Sequence, residues 1–68
     1  MEVKIKTEHI NLGQFLKHAG IIDTGGQAKE FIVSSEIKVN GILTNQRGKK
    51  LYPGDVIKVN DLMFTIVG

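Results

Sequence analysis

Apolar and polar residues alternate at the start of the chain. In "EVKIK", Val3 and Ile5 fall on one face and Glu2, Lys4 and Lys6 on the other, which predicts a short strand. The period then changes. In "NLGQFLKHAG", Leu12, Phe15, Leu16 and Ala19 recur at the i, i+3, i+4 and i+7 positions of one helix face, with Asn11 as N-cap and Gly20 as the stop beyond the end. The link "IID" leads to a second helix beginning near Thr24. Ala28, Phe31 and Ile32 form its apolar stripe, and Ser34 and Ser35 weaken it toward the end. "EIKVNGILT" reads as strand, Asn-Gly turn, strand, with Ile37 and Val39 pointing inward and Lys38 outward. After the polar loop "NQRGKK", "YPGD" forms a turn in which Pro53 and Gly54 supply the restricted and permissive dihedrals. "VIKV", the "ND" turn and "LMFTIV" close the pattern as a hairpin. The order of strand, two helices and several short strands predicts an α+β domain.

Composition narrows the functions available. The 68 residues are read as one domain, residues 1–68. A chain this short buries only about 60% of its unfolded surface, which leaves little room for an enzyme cleft and its supporting shell. It has no cysteine, so no disulfide framework or thiolate zinc site is available. His9 and His18 fit no common zinc spacing, and Asp23, Asp55 and Asp61 fall in caps and turns, where aspartate serves the backbone. No serine–histidine or paired-carboxylate arrangement stands out, so no catalytic residue, metal or cofactor is expected. No apolar run approaches the roughly 18 residues of a membrane span. The expectation is a cytoplasmic protein with no membrane partner and no small-molecule substrate, acting as a monomer.

Net charge is only +2, but its placement is uneven. Lys29, Lys38, Arg47, Lys49 and Lys50 all lie in the middle third, opposed there by Glu30 and Glu36 alone. That basic stretch is entered through "DTGGQAKEF", in which two glycines sit where the second helix starts. Glycine there costs about 1 kcal/mol relative to alanine. One account is local: Asp23 or Thr24 caps the helix and the glycines ease a tight entry. The other is functional. A helix start presents unpaired N–H groups that favour an anion, and residues without β-carbons let a phosphate approach them. Thr24 and Gln27 would add side-chain hydrogen bonds, with Lys29 further along. No Gly-Lys-Ser/Thr follows, so this is not a nucleotide-hydrolysing P-loop. Tyr52 is the only aromatic residue near the basic stretch that is not read as core, which favours binding to structured RNA by shape over single-strand stacking.

"LGQFLKHAGIIDTGGQAKEFIVSSEIKVNG", followed by "LYPGDVIKV", resembles the RNA-binding domain named after ribosomal small-subunit protein four, and in particular its small stand-alone bacterial members. The match covers about residues 10–59. The resemblance implies two helices packed on a small, mostly antiparallel β-sheet, and an RNA-facing surface that recognises helical or hairpin RNA, ribosomal RNA among the candidates. It marks Thr24, Gly25, Gly26, Gln27 and Lys29 at the helix start and Lys38, Asn40 and Gly41 at the hairpin. Arg47, Lys49 and Lys50 match basic loop positions. Many members carry Ser-Arg where Thr24 and Gly25 stand, often arginine at Lys29, and often Arg-Leu-Asp at Asn11, Leu12 and Gly13. Fewer arginines mean fewer bidentate phosphate clamps, leaving more of the anion binding to backbone N–H groups. Two alternatives come from other classes: a sulfur carrier activated at Gly68, whose relatives end in two glycines on a free arm, and a small protein–protein adaptor.

Overall fold

The computed structural model describes residues 1–68. Strand β1 (Glu2–Lys4) is followed by the short β2 (Ile10–Asn11), which runs directly into helix α1 (Leu12–His18). A 3-10 turn (Gly25–Gln27) leads into helix α2 (Ala28–Ser34). The remaining strands are β3 (Ile37–Val39), β4 (Ile42–Leu43), β5 (Lys50–Leu51), β6 (Val56–Val59) and β7 (Leu62–Val67). Five strands form the main sheet in the order β1-β7-β6-β3-β4, while β2 and β5 pair separately. Every pairing is antiparallel except β1 with β7. The expected α+β fold of two helices on a mostly antiparallel sheet is the fold observed.

Period-two alternation puts Ile37, Val39, Ile57, Val59, Phe64 and Ile66 on one sheet face, where all are buried. Leu12, Phe15 and Leu16 of α1 and Ala28 and Ile32 of α2 complete a single core with them. Phe15 meets Phe64 edge-on, with centroids 5.4 Å apart and planes at 81°. Burying each such large side chain is worth about 1.5–3 kcal/mol, the main favourable term in so small a domain. Both helices occupy this face, so the other face of the sheet carries no helix.

The predicted turns hold for local reasons. Asn40 (φ 52°) and Gly41 (φ 83°) are both left-handed, as the tight turn between β3 and β4 requires. Two boundaries differ from expectation. The second helix starts at Ala28, because Gly25–Gln27 closes as a 3-10 turn with the Gln27 N–H donating to the Thr24 carbonyl at 3.2 Å. The first strand ends at Lys4, although the Ile5 N–H still reaches the Val67 carbonyl at 2.9 Å.

Candidate nucleic-acid interface

The start of α1 is closed by the chain itself. Its Leu12 N–H donates to the Lys49 carbonyl at 2.8 Å, and Gly13 N–H to the Arg47 carbonyl at 3.0 Å. Gln14 N–H donates to Asn11 Oδ1 at 2.8 Å, while Gln14 Oε1 accepts from Asn11 N–H at 3.2 Å. The first-turn donors of this helix are therefore occupied, and none is left for an anion. The same bonds tie the 44–50 loop to α1 and bring Arg47 over Gly13. A β-carbon at position 13 would stand 2.8 Å from Arg47 Cγ, so glycine is what gives the arginine stem its place.

The start of the second helical segment is different. Gln27 Oε1 accepts from the Asp23 N–H at 2.8 Å and the Thr24 N–H at 3.2 Å, so the residue expected to reach toward RNA instead braces its own backbone. The next two N–H groups, of Gly25 and Gly26, donate to nothing within the chain. Both glycines are exposed and neither has a positive φ. A β-carbon on Gly25 would meet nothing within 4 Å, and one on Gly26 only Thr24 Oγ1 at 3.9 Å. Neither backbone geometry nor packing requires glycine here.

These two features meet. Asn11, Gln14, Lys17, Gly25, Arg47 and Gly48 line a groove of about 330 Å³ above Gly13, with no apolar and no acidic side chain in it. Of the residues singled out in the sequence, Gly25 and Arg47 are brought together here. Thr24 precedes the turn and Gly26 lies at its centre, both exposed, and Lys29 is exposed beside the buried Ala28. Lys17 and Gln14 were missed. Their signal was a polar pair three residues apart on the exposed side of α1, next to the apolar stripe.

Lys49, Lys50 and Asn40 line a second cleft of about 440 Å³, on which Tyr52 also opens. The Asn40 side chain is committed to the fold: its Nδ2 donates to Asp55 Oδ1 at 3.1 Å and its Oδ1 accepts from the Val56 N–H at 2.9 Å. Gly41 contributes the turn. Lys38 does not share a surface with the helix start, contrary to the expectation that grouped them. Strand alternation sends it from the face opposite Ile37 and Val39, away from the helices, where it pairs with Glu36 at 3.3 Å and neighbours Lys58 across the sheet.

Other candidate chemistry is placed as follows. His18 is exposed, its Nε2 lying 2.8 Å from the Lys4 carbonyl. No group of three or more His, Cys, Asp or Glu side chains lies close enough together to hold a metal ion. No helix is long and apolar enough to cross a membrane. Gly68 follows β7 directly and lies against Pro53, where a β-carbon would come within 3.3 Å of Pro53 Cγ, so it is not carried on an extended arm.

Comparison with known proteins agrees with this architecture. A probable ribosome maturation protein, RlbA, of Bacillus subtilis (strain 168) is 51% identical to the chain over 57 residues, covering 84% of this chain and 80% of that protein. The S4 domain family matches residues 3–67, which takes in β1 and β7 as well as the helices and hairpin that suggested the likeness. The chain belongs to the S4 domain family of RNA-binding proteins.

Proposed function

We propose that the protein is non-catalytic and holds the phosphates of a folded RNA in the groove between α1, the Gly25–Gln27 turn and the Arg47 loop. The observation that carries this reading is the convergence of Lys17, Arg47 and the open Gly25 on one surface free of acidic side chains. Arg47 offers a planar fork for two phosphate oxygens, Lys17 a mobile point charge, and Gly25 and Gly26 two unspent N–H groups. Thr24 and Lys29 extend the contact along the second helical segment, and Lys49 and Lys50 extend the positive surface along the loop. Asn40, Gly41 and Gln27 shape the backbone that presents these groups. Phosphate contacts of this kind read the shape of a helix or hairpin rather than its sequence. The relative named as a probable ribosome maturation protein supports ribosomal RNA as the target and assembly of the ribosome as the setting.

Binding to hairpin fragments of ribosomal RNA, followed by fluorescence anisotropy across a salt series, tests the reading. Arg47→Glu and Lys17→Glu are each expected to weaken binding by about tenfold or more and to lower the salt slope by about one unit. Lys58→Glu, exposed on the sheet face that carries no helix and lining neither the groove nor the cleft, is the control and is expected to change affinity by less than about threefold, since salt screens an exposed charge that lies away from the RNA. Unchanged affinity in both groove variants at low salt would overturn the assignment.

A further inference from the structure

The 44–50 loop is a wall shared by two concavities. Arg47 and Gly48 line the groove described above, whereas Gln46, Lys49 and Lys50 line the cleft beside β4. The chemistry of that cleft differs from the groove. Tyr52, 43% exposed, is its one aromatic residue, and Ile42 and Leu43 flank it at 72% and 65% exposure. His9 touches the Tyr52 ring from outside the cleft, with centroids 5.6 Å apart and planes at 46°, and so backs it on one side. Asn45 and Gln46 present exposed side-chain amides. Asp55 is the only acid there, and both its oxygens are already hydrogen-bonded within the fold: Oδ1 accepts from Asn40 Nδ2 at 3.1 Å and Oδ2 from the Tyr52 N–H at 2.8 Å.

A flat aromatic face with apolar flanks, open amides and two ammonium groups matches the parts of one nucleotide: a base to stack, a base edge to hydrogen-bond, and a phosphate on either side. Bases inside a paired stem face one another and cannot reach such a surface. We propose that this cleft receives a single unpaired nucleotide of the bound RNA, its base against Tyr52 and its phosphates against Lys49 and Lys50. The proposal rests on the RNA-binding reading and adds to it a preference: a stem carrying a bulged base is bound more tightly than a continuous one. A base already unpaired costs least to extrude, so the bulge, not the stem sequence, is what the cleft selects.

The test uses the full chain and a set of hairpin RNAs with one stem sequence, in which a single bulged 2-aminopurine is stepped along one strand, with the unbulged hairpin as reference. At the position that matches the cleft, binding is expected to be about tenfold tighter than to the reference, with the 2-aminopurine fluorescence changing on binding as the base stacks. Tyr52→Phe should keep both effects. Tyr52→Ala and Tyr52→Leu should lose them while retaining the affinity for the unbulged hairpin, and circular dichroism melts establish that the variants are folded. Equal affinity at every bulge position, or a preference that survives in Tyr52→Ala, overturns this inference and leaves the groove assignment standing. Failure to bind any of the hairpins overturns both.

Discussion

Replacing both Gly25 and Gly26 by alanine separates the needs of the fold from those of the ligand. Neither glycine has a positive φ, the space beside Gly25 is open, and the nearest neighbour of a β-carbon at Gly26 lies at an ordinary 3.9 Å. Alanine at a compatible position lowers the entropy of the unfolded chain and is worth about 0.4–1 kcal/mol. The pair should therefore stabilise the protein by about 1–2 kcal/mol. In a domain of this size each kcal/mol raises Tm by about 4–8 °C. The same two methyl groups would stand between an approaching phosphate and N–H groups that have no partner in the chain. A hydrogen bond to a charged group is worth about 1.5–3 kcal/mol, so losing one weakens RNA binding by about tenfold or more. A thermal melt and an anisotropy titration on the same preparation read both numbers. A more stable variant that binds RNA as well as the parent would refute the view that the glycines admit phosphate. A less stable one would refute the account of the local packing.

Two further outcomes follow from contacts near the same surface. Gly13→Ala places a β-carbon 2.8 Å from Arg47 Cγ and must move the arginine stem, so RNA affinity should fall severalfold, and adding Arg47→Ala should cost little more. Full additivity in that double-mutant cycle would show that Gly13 does not act through Arg47. Asn40→Gly keeps the left-handed backbone but loses the side-chain bonds to Asp55 and Val56, and should destabilise the protein by about 1–3 kcal/mol in urea with the m-value unchanged. Unchanged stability together with lost RNA binding would instead make Asn40 a direct contact.

The elements that the sequence foretold are those whose causes are local. The Leu12, Phe15, Leu16 stripe needs only helical period, and the Asn40-Gly41 pair needs only its own dihedrals. The pairing of β2 with β5 was invisible because each strand has two residues, too few for a period. It is fixed by tertiary bonds from α1 to the 44–50 loop. The candidate surface divided in the same way. Charge clustering marked Arg47, Lys49 and Lys50, and its outward position together with the family resemblance drew Lys38 into the set, although outward in that strand is the face away from the helices. Lys17 was passed over because it lies far from Arg47 in sequence, and the backbone bonds at Leu12 and Gly13 together with the β2–β5 pairing bring the two segments together. Gln27 was given to the ligand because an outward amide and a capping amide look alike in one dimension.

The parallel pairing of β1 with β7 has a consequence for how the protein is made. Glu2, Val3 and Lys4 sit in register with Thr65, Ile66 and Val67, and the Met1 ammonium donates to the Met63 carbonyl at 2.9 Å. A nascent polypeptide emerging amino end first has both helices and the β3–β4 hairpin available early, while Val3 and Ile5 wait for a partner strand that has yet to be synthesised. Closing this edge of the sheet therefore has to join residues of the greatest sequence separation in the molecule, the kind of contact that carries the largest loop-closure cost.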